Sequence, residues 1–252
     1  MSDSPVFEAY SGYYDLLYQD KDYEGEVKYI DSLLQTYGVS GCRELLEFGS
    51  GTGKHGRLLA EKGYNIKGIE LSDSMVQKAQ KTDGFTCQQG DIRTISLGRS
   101  FDTVLALFHV VSYQTTNADI QAMFQRAAEH LQVGGLFVFD VWYSSAVYNL
   151  KPETRVKRMT NDKVEVIRIA EPNILPNENK VDVNYTVFVQ DKINDSYSKF
   201  SETHHMRHFS IPEIEYFAES NNFQVLKAEE LLTGNEPSEN TWGVCFVLKK
   251  KA

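Results

Sequence analysis

Leu45-Leu46-Glu47-Phe48-Gly49-Ser50-Gly51-Thr52-Gly53 is the stretch on which the reading of this chain turns. An apolar run ending in a carboxylate passes into three alternating glycines, and a helical pattern from Lys54 to Lys62 then closes on Gly63. This is the pattern of a buried strand, a tight turn and a helix whose N-terminal amides face an open crevice. Glycine lacks a Cβ, so the backbone there is free to take positive φ and to touch a ligand. A small, nucleoside-bearing ligand is expected on the turn.

Outward from that turn, strand and helix patterns alternate: 44–49 then 54–62, 65–70 then 73–82, 84–89, 101–107 then 117–131, and 135–141. The alternation predicts an α/β fold, a mainly parallel sheet with helices on both faces. After Trp142 the rhythm changes. Runs at 163–170, 180–190 and 197–209 read as strands without intervening helices, separated by Pro172-Asn173, Pro176-Asn177 and Asn194-Asp195, and predict an antiparallel β insertion. A helix at 212–221, capped by Ser210, and strands at 223–229 and 242–249 return to the sheet. The segment 1–40 reads as helical and carries Tyr10, Tyr13, Tyr14, Tyr18, Tyr23, Tyr29 and Tyr37, a candidate lid. The expected organisation is a helical lid over 1–40, a ligand-binding core over 41–141 and 210–252, and an acceptor-binding insertion over 142–209.

At 252 residues and 41% hydrophobic content, the chain can bury one large core without disulfide or metal staples. A net charge of −9 disfavours a nucleic-acid surface, which needs a concentrated basic face. Cys42, Cys87 and Cys245 are widely spaced, with no CxxC pair or zinc pattern, and read as reduced thiols. The opening Met1-Ser2-Asp3-Ser4-Pro5 has neither a basic nor an apolar leader region, and no run approaches membrane-spanning length. A soluble, cytoplasmic monomer or homodimer acting on a small molecule is expected.

Gly51-Thr52-Gly53-Lys54-His55-Gly56 also matches the dinucleotide-binding fingerprint, so a nicotinamide or flavin cofactor competes for the turn. Glu47 argues against it, because a carboxylate there can face an ammonium group but would repel a pyrophosphate. Glu70 ends the strand Tyr64-Asn65-Ile66-Lys67-Gly68-Ile69 at the spacing of a carboxylate that grips ribose hydroxyls, which fits both cofactors. Gly90-Asp91-Ile92 then offers an acceptor for an adenine amino group and an apolar neighbour for the ring. No Tyr-x-x-x-Lys pair of the kind common in hydride-transfer enzymes is present. The balance falls on S-adenosylmethionine.

Taken in order, Glu47 to Gly53, Glu70, Gly90-Asp91-Ile92, Leu107-Phe108-His109 and Leu131-x-x-Gly134-Gly135 resemble the class I S-adenosylmethionine-dependent methyltransferases over nearly the whole chain. The resemblance implies a Rossmann-like seven-stranded sheet with one antiparallel member. It implies that Gly49, Gly51 and Gly53 approach the methionine part of the cofactor, that Glu70, with Leu71 beside it, binds the ribose, and that Asp91 and Ile92 frame the adenine. Backbone at Leu107 and Phe108 would meet the aminoacyl end, with S-adenosyl-L-homocysteine as product. Within the class, Tyr14-Asp15-Leu16-Leu17-Tyr18, Lys21-Asp22-Tyr23, the Gly-Thr-Gly-Lys-His turn and the insertion resemble N-methyltransferases of nucleotide-linked amino sugars. Those enzymes carry a small polar, glycine-containing run where this chain has His109-Val110-Val111-Ser112-Tyr113, a departure that bears on the acceptor pocket.

Methyl transfer is an in-line displacement, and orientation of the reactants can supply about 7–11 kcal/mol. An amine acceptor must be bound neutral, which a desolvating pocket favours, whereas a hydroxyl acceptor calls for a general base. The catalytic candidates are Tyr14, placed over the methionine end, His109 at the opening of the fourth strand, and His205. Each has a structural competitor: an ordinary amphipathic-helix tyrosine, a buried hydrogen-bonded histidine, and a solvated strand face with Glu202 as ion-pair partner. On a strand, His205, Arg207 and Phe209 share one face and His204, Met206 and His208 the other. No pattern supplies further ligands for a metal there, so none is expected. Acceptor-binding candidates are Tyr113, Trp142 as a stacking surface, Arg207 as a bidentate phosphate or carboxylate clamp, and Arg155 in the basic cluster Lys151, Arg155, Lys157 and Arg158, which would attract a sugar-nucleotide diphosphate. The leading expectation is methylation of the amino group of a nucleotide-linked amino sugar. The alternatives are O-methylation of a saccharide or other hydroxylated metabolite, and a non-catalytic adenosyl-binding module.

Overall fold

A computed structural model describes residues 10–79 and 81–252. The expectations placed on residues 1–9 and on Gln80 lie outside the described residues, as does the side chain of Tyr10. After a 3-10 turn at Tyr10–Tyr13 come α1 (Tyr14–Leu17), α2 (Tyr23–Tyr37), β1 (Glu44–Phe48), α3 (Lys54–Glu61), β2 (Asn65–Glu70), α4 (Asp73–Lys78), β3 (Phe85–Gln89) and β4 (Phe101–Ala106). A second 3-10 turn, Val110–Tyr113, leads to α5 (Asn117–His130), β5 (Leu131–Tyr143) and α6 (Ser144–Asn149). The remainder is β6 (Arg155–Thr160), β7 (Val164–Leu175), β8 (Lys180–Asp191), β9 (Ser196–Phe209), α7 (Ile211–Ser220), β10 (Phe223–Glu230) and β11 (Gly243–Lys250). The chain divides into two compact units, Asp22–Leu150 with His208–Ala252, and Lys151–Arg207 with the described residues up to Lys21.

In the larger unit the strand order is β3-β2-β1-β4-β5-β11-β10. The first five are mutually parallel, and β11 runs antiparallel to both β5 and β10, giving the expected seven strands with one reversed member. The last two residues of β9, His208 and Phe209, pair with Trp142 and Tyr143.

Period-two alternation sorts the side chains of this sheet onto two faces. Leu46, Phe48, Val104, Ala106, Phe137, Phe139, Phe246 and Leu248 pack beneath α5 and α7, where Phe124 meets Phe137 edge-on at 5.4 Å and Phe139 at 5.7 Å. Leu45, Ile66, Leu105, Leu136, Val138, Cys245 and Val247 face α2 and α3. Helix α2 presents Val27, Ile30, Leu33 and Leu34, the three- and four-residue spacing of one helical face. Asp22 caps that helix by accepting from the Gly25 amide at 2.8 Å.

The smaller unit is an antiparallel sheet in the order β6-β7-β8-β9, with Leu17 of α1 packed among Val166, Val187 and Val189.

Several expected boundaries move, each for a local reason. The helix expected over 73–82 stops at Lys78, because Asp83-Gly84 makes a tight turn bridging Thr82 to Phe85, with Gly84 at φ 79°. Pro172 is not a turn but lies inside β7, opposite Val183. Strand β6 reaches only Ala170, so β7 is an edge at Pro172 and the missing amide is tolerated. Ser210 occupies the position before α7 without a side-chain capping bond, and Pro212 stiffens the first turn instead. The basic run at 155–158, read only as a charge cluster, is strand β6. Among the described residues no helix is long and apolar enough to cross a membrane.

Gly56, inside α3, sits on the buried ring of Phe85. Alanine there would gain roughly 1 kcal/mol of helix propensity. Its Cβ would lie 2.3 Å from Phe85 Cε2 and 2.9 Å from Glu47 Oε2. Overpacking of that kind costs about 1–3 kcal/mol. Gly56→Ala should therefore lower the urea midpoint, and a gain in stability would show that Phe85 moves freely.

Candidate functional site

The turn after β1 is tied to the end of β2 by its backbone. The Gly49 and Ser50 amides donate to Ile69 O at 2.8 and 3.2 Å, and the Gly53 amide donates to Ser50 O at 2.9 Å. Gly51 takes φ 54° and Gly53 φ 76°, both left-handed. Their surroundings differ. A Cβ on Gly53 would strike Phe85 at 2.5 Å, whereas one on Gly51 would have nothing within 4 Å, so Gly51 is the glycine that leaves open space beside the backbone.

The carboxylate of Glu70 closes this turn, Oε2 accepting from the Gly51 amide and Oε1 from the Ser72 amide, each at 2.9 Å. Burial raises the Glu70 pKa, and these amides oppose the rise.

Glu47 and Asp140 interrupt two apolar strands on the side of the sheet that faces α2, following the alternation from Leu45 and from Leu136 and Val138. Both are almost wholly inaccessible, at 2% and 1%. Glu47 Oε2 has no hydrogen-bond partner among the described residues. Burial, reinforced by Glu70 and opposed by Arg57, pushes its carboxyl up to about 8. Asp140 is satisfied differently: Oδ1 accepts from the Phe108 amide at 2.7 Å and Oδ2 from the His109 amide at 3.0 Å. Phe108 and His109 take φ 64° and 63°. Left-handed backbone costs about 1–2 kcal/mol per residue, which two hydrogen bonds to a charged group, at about 1.5–3 kcal/mol each, can offset. His109 Nδ1 also lies 2.6 Å from Asp140 Oδ2.

Beside His109 and Asp140 the larger unit forms a small cleft whose polar lining is Glu26, Tyr29, His55, His109 and Asp140. His55 Nε2 contacts Glu26 Oε2 at 2.6 Å, while its Nδ1 lies 4.0 Å from Glu47 Oε1. The Tyr29 hydroxyl donates to Glu229 Oε1 at 2.7 Å. Ile30, Leu107, Phe108, Leu231 and Leu232 supply the apolar wall, and Trp142 lies edge-on to His109 at 6.2 Å.

Of the residues singled out from sequence, Glu47, Gly49, Gly51, Gly53, Glu70, Leu71, Asp91, Ile92, Leu107, Phe108, His109, Tyr113 and Trp142 all fall in the larger unit. They lie at or just beyond the carboxyl ends of β1, β2, β3, β4 and β5. Asp91 is engaged with Arg93, accepting from its backbone amide at 2.9 Å and from Nη2 at 2.6 Å; Arg93 Nη1 reaches Asp119 at 2.8 Å. Ile92 is buried and Leu71 is exposed.

Tyr14, Arg155, His205 and Arg207 belong to the smaller unit. Tyr14 packs on Tyr18 at 4.7 Å within that unit's apolar cluster. His205 is half-exposed and contacts Asp182 at 2.6 Å, Arg155 is exposed, and Arg207 is buried. Glu202 is not on a solvated face: it is buried 3.5 Å from His204, whose ring meets Tyr185 at 4.7 Å. Burial lowers the His204 pKa. Among the described residues no three His, Cys, Asp or Glu side chains converge as a metal site.

Glu26, His55 and Asp140 were not marked as site residues from sequence. Asp140 left a signal, a lone carboxylate in the apolar run Leu136 to Val141, whereas Glu26 reads as any acidic residue in a first helical turn.

Residues 45–135 match the methyltransferase domain family. The chain is 25% identical to a putative methyltransferase of Geobacillus sp. (strain WCH70), over 97% of this chain and 100% of that protein. It is 35% identical to dTDP-3-amino-3,4,6-trideoxy-alpha-D-glucopyranose N,N-dimethyltransferase of Streptomyces venezuelae, over 52% of this chain and 56% of that one. Its fold superposes on the S-adenosylmethionine-bound amino pentose methyltransferase CalS10 of Micromonospora echinaspora with a TM-score of 0.75 at 21% identity, covering 100% of both chains. The donor set suits such a ligand: an open glycine backbone, a carboxylate behind it, and in Glu47 Oε2 a buried acceptor that an ammonium group could satisfy.

Glu47 also provides a stability test. Its carboxyl titrates near 4.5 when unfolded and near 8 when folded. The folded state therefore keeps a proton that the unfolded state loses, and the contribution to stability is full below about 4.5 and falls as pH rises to about 8. In cofactor-free thermal melts, the Tm of Glu47→Gln should rise relative to wild type across that window and the difference should level off above it. A constant difference would mean that Glu47 is already ionised in the folded protein.

A methyltransferase domain and a full-length relative named as a putative methyltransferase agree, and this chain is an S-adenosylmethionine-dependent methyltransferase resembling the amino-sugar N-methyltransferases.

Proposed function

We propose that the protein methylates the amino group of a nucleotide-linked amino sugar. The observation that carries this reading is the charge of the cleft: two carboxylate–histidine pairs, Glu26–His55 and Asp140–His109, with no Lys or Arg among the lining residues. Methyl transfer to an amine leaves positive charge on the acceptor nitrogen. A unit charge 4 Å from a carboxylate gains about 4 kcal/mol at an effective dielectric of 20, more than the about 0.5–2 kcal/mol of a cation–π contact. The carboxylates, not the rings of Tyr29 and Phe108, therefore dominate the preference for a cationic product. The 35%-identical relative, named as an amino-sugar N,N-dimethyltransferase, points the same way.

On this reading the cofactor supplies an electrophilic sulfonium methyl, and no covalent enzyme nucleophile is needed. Gly49, Gly51, Gly53, Leu107 and Phe108 hold its aminoacyl end through backbone, Glu47 accepts from its ammonium group, Glu70 takes the ribose beside Leu71, and Ile92 and Asp91 flank the adenine. His109 takes the acceptor's proton, and Tyr113 and Trp142 shape the acceptor end. One observation favours a second reading: a histidine backed by a carboxylate also suits deprotonation of a hydroxyl, and hence O-methylation.

Incubation of the protein and S-adenosylmethionine with matched amino and hydroxyl sugar nucleotides, followed by mass spectrometry, should show methyl gain on the amino compounds alone. Gain only on the hydroxyl compounds would replace the proposal with the second reading. Glu70→Ala removes the acceptor of two turn amides as well as the proposed ribose ligand. Its Kd for S-adenosylmethionine by calorimetry should rise at least tenfold, a loss of about 1.4 kcal/mol or more; an unchanged Kd would remove Glu70 from the cofactor site.

A further inference from the structure

We propose that Asp140 is a positioning residue for His109, one that fixes the ring proton on Nδ1 and leaves Nε2 as the atom that receives the acceptor's proton; this rests on the reading of His109 as the proton acceptor. The geometry begins with burial. Asp140 is 1% exposed, and among the described residues it has no Lys or Arg partner. Its oxygens are committed to the backbone amides of Phe108 and His109, which orients the carboxylate before any side chain is considered.

His109 Nδ1 lies 2.6 Å from Asp140 Oδ2. Two lone pairs at that distance would repel, so the Asp140 oxygen selects the tautomer with hydrogen on Nδ1, although the ring N–H is not aligned for a linear hydrogen bond. The lone pair is then on Nε2, across the ring. The ring has little freedom to turn away. Its backbone is anchored in the left-handed region by the Asp140 bond, and the rings of Phe108 and Trp142 lie 5.6 and 6.2 Å from it. Gly243, next to it, would bring a Cβ within 3.8 Å of His109 Cε1.

The chemistry asks for this arrangement. An alkylamine is largely protonated at neutral pH, and it has no lone pair for attack until an N–H bond breaks. The bonding pair stays on nitrogen and the proton passes to Nε2, making an imidazolium whose charge faces Asp140. The nitrogen lone pair then forms the new N–C bond as the C–S pair withdraws onto sulfur, and the imidazolium later returns its proton to water. Without the carboxylate, the ring is free to carry its hydrogen on Nε2, where it cannot accept.

The test is nitrogen-15 NMR of the full-length protein with labelled histidine, at a pH where the ring is neutral, the His109 signals being identified by their loss in His109→Gln. Wild type should show a protonated Nδ1 and a bare Nε2, and Asp140→Asn should shift His109 toward the opposite tautomer. With an amino sugar nucleotide as acceptor, Asp140→Asn should lose about 10²–10⁴-fold in kcat, with KM and the S-adenosylmethionine Kd changed less than about threefold. Asp140→Glu, which keeps the charge, should restore part of kcat. A wild-type His109 carrying hydrogen on Nε2 overturns the proposal without any variant having to fold. An unshifted tautomer in Asp140→Asn, or equal losses in cofactor affinity and kcat, would reduce Asp140 to a structural anchor. Because the tautomer measurement needs no acceptor, failure to methylate any amine would count against the proposed function and leave this inference to be decided by the spectra.

Discussion

Three buried carboxylates, Glu47, Glu70 and Asp140, stand on one face of the parallel sheet, and none is ion-paired with Lys or Arg among the described residues. Burying an unpaired charge costs several kcal/mol, so each has to find a local solution. Glu70 finds it in the amides of Gly51 and Ser72, and Asp140 in those of Phe108 and His109. Glu47 finds it in a proton. The first two solutions dictate loop conformation: the Gly51 turn is pulled onto β2, and the loop after β4 is bent left-handed at two consecutive non-glycine residues. The site is thus a consequence of how the fold disposes of its buried charge.

The two faces of the sheet carry different duties. Beneath α5 and α7 the interior is aromatic and uninterrupted, with Phe124, Phe137, Phe139, Phe217, Phe223 and Phe246 in mutual contact. Beneath α2 and α3 it is aliphatic toward the amino ends of the strands and turns acidic toward their carboxyl ends. The register carries the acidity sideways as well: Glu229 stands opposite Cys245, and Cys245 opposite Asp140. Tyr29 of α2 reaches that row, and Glu26, one turn earlier, meets His55. Helix α2 thereby both seals the aliphatic core and supplies polar groups to the cleft.

The smaller unit solves its own version of the problem with rings. Arg168 lies 5.0 Å from the centroid of Tyr185 and 5.8 Å from that of Tyr18, and its Nη1 donates to the Tyr18 hydroxyl at 3.2 Å. Glu202 and His204 share the interior of the same sheet. Tyr14, which opens the first short helix, and Tyr18, which follows its end, pack together here, so part of the tyrosine-rich start of the chain is accounted for by packing within this unit.

Patterning was enough for the architecture, because a period-two apolar run and a glycine turn are local and each strand of the core announces itself by the alternation of Leu45 against Leu46 or Leu136 against Phe137. The carboxylates Glu47 and Glu70 were legible for the same reason, standing at fixed offsets from the turn. The insertion was legible as antiparallel, but β6 was not, since Arg155, Lys157 and Arg158 mask its strand character and only pairing with β7 reveals it. By itself the sequence determined a doubly covered parallel sheet with a glycine turn after its first strand, since these follow from covalent periodicity and from where a Cβ is absent. Only the tertiary structure decided that Asp140 answers to His109 and Glu26 to His55. Those partners are 31 and 29 residues apart and meet because sheet order and helix packing, not spacing along the chain, bring them within 2.6 Å.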